Sequence, residues 1–399
     1  TTHVLTATAG SGSATAVIKT LPVDLYGKSF TVAVGTCYYD GYHRDAHYLA
    51  ALKSNWLGDP TYKILAGDNI YLDVVPAGDF GKGAFAETVG LYLQYWWRSG
   101  YSEALAYQAS VFTSDDHEFW NNFPEVQPHL PRSLQGAKGD YAVAAQTCYR
   151  LFQAWLNPDP VIPGGLSFTL KIPPLNLFVA ETRANRTKHG ELVPSLLPDV
   201  ELQAFEQWAA QLDGPGLFVL GQPLWIDTGD WRDHTPPDFE RQYAKIWRAI
   251  AKAPHDILIV SGDVHHSRLL RIALPSNQFV YEFVSSPACH IPALGSVLPS
   301  KQGHGTVKFP ASVPVYAVDD TAIKPKWSHY FFGTDVPNTI GLLEFTGPSA
   351  EGTRVSVSAA FIDVATQQPA QAVTAQVGSE EQSRSDVPTC VIRNAFFLR

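Results

Sequence analysis

The sequence predicts an α/β fold, and two observations carry that prediction. Apolar, β-rich runs take turns with segments whose apolar residues recur at helical spacing, and one run after another ends in acidic, Cys, Gln or Arg residues. Residues 30–34 read as a strand ending in Gly35-Thr36-Cys37, with a helix after it at 45–56. A strand at 62–66 ends at Gly67-Asp68 and precedes a helix at 87–97; a strand at 109–113 ends at Asp115-Asp116-His117 and precedes a helical stretch at 141–155. Further on, a strand at 176–180 ends at Glu181-Thr182-Arg183, and a helix at 200–212 leads to a strand at 217–220 ending at Gly221-Gln222. A helix at 239–253 then precedes a strand at 256–260 ending at Ser261-Gly262-Asp263.

In open α/β sheets ligands sit in the crevice outside the carboxyl ends of the strands. Acids, His, Cys and Arg from six distant places would therefore converge, whereas scattered core or surface polar residues have no reason to recur at that end. Beyond Asp263 the reading turns mostly β. Strands at 269–273, 278–285, 339–345 and 354–362, joined by Pro- and Gly-rich loops, are expected to supply a second sheet. The Gln-, Ser-, Ala- and Glu-rich stretch 366–386 is expected to be a long loop, and no internal repeat is present. The expected organisation is a β-rich lead-in over 1–29, one domain over 30–365, and an extension over 366–399 packing on it.

Composition narrows the classes of function. With 45% hydrophobic and 17% charged residues over 399, the chain can bury a large core, and its formal charge of −9 argues against a nucleic-acid-binding or anionic-membrane surface. No stretch approaches the roughly 20 apolar residues that cross a bilayer. Residues 1–18 lack the basic start and apolar block of a signal peptide, so the chain is expected to be exported if a leader has been removed and cytoplasmic otherwise. The four cysteines, Cys37, Cys148, Cys289 and Cys390, are too far apart for a dense disulfide framework or a CxxC zinc knuckle.

Five short motifs carry candidate chemistry. Gly67-Asp68-Asn69-Ile70-Tyr71 sets a carboxylate just past a strand and a phenol three residues on; a carboxylate can bridge two cations, and a phenolate suits a hard ion such as Fe³⁺. Asp115-Asp116-His117-Glu118 crowds three acids and an imidazole between an apolar strand and Phe119-Trp120, where uncompensated charge is expensive. Gly262-Asp263-Val264-His265 follows a strongly apolar strand, and in an extended chain Asp263 and His265 point to one face. Cys37 as a thiolate is a metal ligand, and Arg183 and Arg186 can fork onto phosphate oxygens. Each motif also has a plain alternative: a turn Asp with a packed Tyr, a solvated acidic loop, a hydrogen-bonded His at a strand end, a small buried hydrophobe for Cys37, a structural salt bridge for Arg183.

As an ordered set over roughly 34–287, these residues resemble the alkaline phosphatase D (PhoD-like) family of metallophosphoesterases. That family's order is a strand ending in Cys, then GDxxY, DDH, a Thr-Arg segment and GDxH; here it runs Thr36-Cys37, Gly67-Asp68 to Tyr71, Asp115-Asp116-His117, Thr182-Arg183 and Gly262-Asp263-Val264-His265. The GDxxY element is shared with purple acid phosphatases. The resemblance implies a four-layer α/β/β/α sandwich and a site pairing Fe³⁺ with one or more Ca²⁺, other divalent cations being acceptable in the second position. Carried over, Cys37, Asp68, Tyr71 and His265 would hold iron, and Asp68 would bridge to a second cation bound by Asp116 and Asp263. His117 would face the phosphate and Arg183 would orient one of its oxygens.

The implied activity is hydrolysis of a small phosphate monoester or diester by hydroxide activated between the cations. The alternatives are a phospholipase-type phosphodiesterase gated by aromatic loops around residues 96–101 and 225–231, and a non-catalytic metal-bound module that holds phosphorylated polymers. The chain departs from the family pattern at Glu181, where Asp is usual before Thr-Arg, and at Tyr38, where Gln is common. Asn121, Asn122 and Gln222 are candidates for a remaining ligand of the second cation.

Overall fold

The computed structural model describes residues 2–39, 45–73, 83–125, 140–187, 190–226, 228–229, 234–274, 279–289, 313–318, 321–323, 326–332, 338–350, 352–370, 372–376 and 394–398. The chain opens with strands β1 (Thr2–Ala9), β2 (Gly12–Lys19) and β3 (Ser29–Gly35), then helix α1 (Asp45–Leu52), β4 (Pro60–Ala66), α2 (Ala84–Trp97), α3 (Tyr101–Ala106) and β5 (Ala109–Thr113). Next come α4 (Asp140–Phe152), β6 (Phe168–Ile172), β7 (Leu175–Val179), α5 (Asp199–Ala210), β8 (Gly216–Val219), α6 (Glu240–Lys252) and β9 (Ile257–Ser261). The remainder is strand: β10 (Arg268–Ala273), β11 (Phe279–Val284), β12 (Val313–Val318), β13 (Thr321–Ile323), β14 (Lys326–Phe332), β15 (Thr339–Thr346), β16 (Val355–Asp363), β17 (Ala372–Gln376) and β18 (Asn394–Leu398).

Two mixed sheets result. One has eight strands in the order β17-β14-β10-β11-β9-β8-β7-β6, the other six in the order β18-β16-β15-β3-β4-β5. In the smaller sheet β3, β4 and β5 run parallel, and in the larger one β7, β8, β9 and β11 do. The sequence leads to a second sheet built from the C-terminal strands; instead β10, β11, β14 and β17 extend the larger sheet and β15, β16 and β18 the smaller one, while β12 and β13 pair with each other. β17 falls inside the stretch expected to be a loop, pairing with β14. β6, with Phe168, Leu170 and Ile172 alternating, escaped notice as a short antiparallel edge strand.

Three separate apolar cores show how the layers stack. Val32, Val34, Ile64 and Val111 of the small sheet meet Leu177, Val219, Val260 and Phe283 of the large sheet, where Phe283 and Phe361 stack at 4.4 Å. On the outer face of the large sheet Phe178, Phe218 and Ile259 pack on Leu202 and Phe205 of α5 and on Tyr243, Ile246 and Trp247 of α6. On the outer face of the small sheet Ala33, Ile340 and Leu342 pack with Tyr48, Leu52, Tyr92, Tyr141 and Tyr149 from α1, α2 and α4. The order is therefore α/β/β/α. A fully buried Val, Leu or Phe side chain stabilises by about 1.5–3 kcal/mol, so strands buried on both faces account for the near-continuous apolar runs in the sequence.

A lysine interrupts one such run. Lys63 in β4 is buried, and its ammonium donates to the carbonyls of Ala104 (2.9 Å) and Leu105 (3.1 Å) in the last turn of α3 and of Gln108 (2.9 Å) just beyond it. Carbonyls at a helix C-terminus lack helical partners and attract positive charge, so this lysine caps α3 from inside the sheet. The lead-in strands β1 and β2 pair with each other and are almost wholly exposed. Of the aromatic residues considered as a gate, Tyr101 and Trp225 are buried and Trp96 packs edge-on to Tyr101 at 5.8 Å, whereas Trp97 is exposed. Trp231 lies outside the described residues. Tyr38 likewise stacks on Tyr101 at 3.8 Å, where it makes no substrate surface.

The two sheets close on each other at the strand ends through missing side chains. A Cβ on Gly262, just after β9, would lie 2.5 Å from Thr36 Cβ, just after β3, and one on Gly221, just after β8, would lie 2.6 Å from Ser114 O, just after β5; within the smaller sheet, one on Gly67 would lie 2.6 Å from Asp115 Cβ. Overpacking of this kind costs about 1–3 kcal/mol. Gly262→Ala is expected to lower unfolding stability by that amount in urea with an unchanged m-value. An unchanged midpoint would mean that the sheets do not approach so closely here.

Candidate metal centre

The strand ends of both sheets meet at one place. Leaving β3, Cys37 donates its backbone N–H to Gly67 O (3.2 Å), and Tyr38 N–H donates to Asp68 O (2.8 Å), tying the end of β3 to that of β4. Gly262 N–H donates to Gly221 O at 2.8 Å, joining the ends of β9 and β8. Thr113 Oγ1 donates to Ala180 O at 2.8 Å, so β5 and β7 are linked across the gap between the sheets. The convergence predicted from six polar strand ends is thus assembled by main-chain contacts and the Thr113 hydroxyl.

Four of the candidate ligands leave their strands by a sharp turn. Cys37, Asp68, Asp263 and His265 have φ of 54°, 53°, 65° and 52°, in the left-handed region that side chains disfavour. Such residues persist where their surroundings over-determine them, and they gather at functional sites. Asp263 and His265 do not alternate along an extended strand, as the sequence suggested. Val264 N–H donates to Gly262 O at 2.9 Å in a tight turn, and Ser286 Oγ accepts from His265 N–H at 3.0 Å.

The side chains form three overlapping groups. Cys37, Asp68 and His265 offer one ligand atom each, all within 4.8 Å of one another; so do Asp68, Asp116 and His117; so do Asp68, Asp115, Asp116 and Asp263. Asp68 belongs to all three. Cys37 Sγ and Tyr71 Oη each lie 3.4 Å from Asp68 Oδ2. Donors bound about 2.0–2.3 Å from one ion are separated by distances of this kind. Cys37, Asp68, Tyr71, Asp116 and His117 are buried, while Asp263 and His265 are partly exposed and mark the side open to solvent.

Without a cation the electrostatics are unfavourable. Burial, reinforced by the neighbouring acids, pushes the Cys37 thiol, the Asp68 carboxyl and the Tyr71 phenol well above their ordinary ranges. A cation among them reverses that penalty, because each becomes a charged ligand of the ion. The donor set therefore fits metal: a thiol, a phenol and an imidazole on one side of Asp68, carboxylates on the other.

Several supporting residues were not anticipated. Asp73 Oδ1 lies 2.7 Å from His117 Nδ1 and its Oδ2 accepts from Asn121 N–H at 2.7 Å. A carboxylate only accepts, so Nδ1 carries a proton and Nε2 is the ring nitrogen left to the site. Burial opposes charge on His117, but Asp73, Asp116 and Asp68 outweigh it and raise its pKa well above the ordinary value. An acid closing the apolar run Ile70-Tyr71-Leu72 was the available signal for Asp73. Ser286 contacts Cys37 Sγ at 3.2 Å, and nothing in its local sequence distinguishes it.

Arg183, expected to meet phosphate, is 1% exposed; its Nε donates to Asp115 Oδ1 at 2.6 Å and its Nη1 to Phe123 O at 2.7 Å. Its contacts hold the Asp115 turn. Glu181 accepts from Ser114 N–H and Oγ–H and from the N–H groups of Arg183 and Ala184, so it organises the same loop. Gln222 donates from Nε2 to Asp263 Oδ2 (3.1 Å), and its Oε1 accepts from Arg186 Nη2 (2.7 Å). Gln222 thus links Arg186 to Asp263 and braces the Asp263 carboxylate. Asn121 and Asn122 contribute backbone N–H groups, to Asp73 and Asp116.

Among known structures, that of PhoD matches with a TM-score of 0.55 and 16% sequence identity, covering 92% of this chain and 75% of that one. The structure of purple acid phosphatase PPD1 from yellow lupin (Lupinus luteus) seeds matches with a TM-score of 0.49 and 12% identity over 91% of this chain and 56% of that one. No protein-family model and no curated protein matches the chain. With the layer order and the strand-end cluster already established, the likeness shows the architecture: the chain has the α/β/β/α fold of PhoD.

Proposed function

We propose that this chain is a metal-dependent phosphoesterase that hydrolyses small phosphate monoesters or diesters. The observation supporting this reading is Asp68, a buried carboxylate common to three groups of metal-ligating atoms within 4.8 Å. Cys37, Tyr71 and His265 beside it suit Fe³⁺. Asp116 and Asp263, oxygen donors, suit Ca²⁺ or another divalent cation. The chemistry a bound pair supplies is a lowered water pKa and neutralisation of charge building on the phosphoryl oxygens.

The chain's own groups do the rest. Asp73 fixes the His117 ring so that Nε2 holds a proton toward the leaving oxygen. Arg183 acts through Asp115, keeping the Asp115-Asp116 turn in place, and Arg186 acts through Gln222 on Asp263. Substrate enters on the partly exposed side at Asp263 and His265. The likeness to PhoD agrees with this reading through the fold.

Iron-loaded protein is expected to be coloured, through a phenolate or thiolate charge-transfer band. Tyr71→Phe should shift or bleach that band while circular dichroism stays unchanged. Iron-loaded protein without visible absorbance would remove Tyr71 and Cys37 from the ligand set.

His117→Ala is expected to keep its metal content and to lose about 10²–10⁴ in kcat on an alkyl phosphate. With p-nitrophenyl phosphate, whose leaving group scarcely needs a proton, the loss should be much smaller. Equal losses on both substrates would assign His117 to charge stabilisation, and loss of metal would make it a ligand.

A further inference from the structure

Glu118 closes the Asp115-Asp116-His117-Glu118 run, and it belongs to none of the three groups of metal-ligating atoms. Its side chain is fully buried. Oε2 accepts from Asp68 N–H and Asp115 N–H, both at 2.9 Å, and Oε1 accepts from Asn69 N–H at 2.7 Å. The Asn69 and Gln153 side-chain amides approach Oε1 at 3.3 Å each. Gln153 in turn donates to Tyr92 Oη at 3.3 Å, which roots the group in the helical layer.

The backbone explains why a carboxyl group sits there. Consecutive left-handed residues, Gly67 (φ 95°) and Asp68 (φ 53°), turn the Asp68 and Asn69 N–H groups to one side, a concavity of the kind that binds anions. In many phosphate-handling proteins such a concavity takes the substrate. Here the chain fills it with its own carboxylate, so the N–H groups brace the protein and the side chain of Asp68 faces the opposite way, toward Cys37 and Tyr71. The same carboxylate takes Asp115 N–H, so the turns after β4 and β5, which carry Asp68 and Asp116, hang from one group.

We propose that Glu118 is the positioning residue that sets the geometry between Asp68 and Asp116, and hence the affinity of the second cation. The proposal rests on the metal reading above. Glu118→Gln keeps the volume but replaces one accepting oxygen with an amide that faces a backbone donor. Outer-shell partners of this kind typically change metal affinity by about 10–100-fold.

Metal-free protein titrated with Co²⁺, followed by its visible bands, reads the effect directly. Wild type is expected to take two equivalents, and Glu118→Gln to take the second about 10–100-fold more weakly. Val357→Ala, a core variant between the sheets, should lose stability with unchanged Co²⁺ affinity, separating positioning from general destabilisation. If Glu118→Gln does not fold, Gln153→Leu, which removes one donor to Oε1, decides the matter by a smaller loss of the same kind. Wild type that binds two ions while the folded variant binds both equally tightly overturns this inference alone. Wild type that takes up no Co²⁺ overturns the metal reading and this inference with it.

Discussion

Cys37, Asp68, Tyr71 and Asp116 are buried at one point where two sheets meet, and ionising such groups together in a low-dielectric setting is costly unless a cation shares the charge. Much of the surrounding architecture serves that constraint. The glycines at 221 and 262 let strand ends from different sheets approach to distances a methyl group would forbid, and Gly67 does the same between neighbouring strands of the smaller sheet. Left-handed turns at Cys37, Asp68, Asp263 and His265 swing side chains inward immediately after their strands. The local strain is balanced by a dense set of hydrogen bonds whose other ends lie in the helices and the opposite sheet.

The supporting charges are divided by role. Arg183 offsets Asp115, and Asp73 offsets His117. Glu118 is satisfied by backbone N–H groups and amides. What remains with shared burial is Cys37, Tyr71 and Asp68, the groups whose protonated forms burial favours most strongly. The protein has thus paired its accessory charges internally and left the ligand set to be completed from outside.

The order of the parallel strands and the site residues beyond them were legible in the sequence. β5 was read at its observed bounds, and β3, β4, β7, β8 and β9 within a residue or two, because strands buried on both faces leave unbroken apolar runs. β6 and β14 were not read, and β17 was taken for loop. β6 and β17 are five-residue antiparallel strands at sheet edges, too short for a pattern to stand out, whereas β14 lies inside the sheet between β17 and β10. At the site, residue identity gave the candidate ligands but not the residues that support them: Arg183 reads equally well as phosphate clamp or ion pair until its partner is known, and Ser286 is an ordinary serine in sequence. The turn carrying Asp263 and His265 was read as extended because a left-handed non-glycine residue has no sequence signature.

The central claim is that Asp68 is shared by two cations. Elemental analysis of protein purified without chelator, comparing wild type with Asp68→Asn, tests it most directly. Wild type should carry iron together with a divalent cation, and Asp68→Asn should lose both along with essentially all phosphoesterase turnover. Metal-free wild type, or an Asp68→Asn variant with full metal content and full turnover, would contradict it.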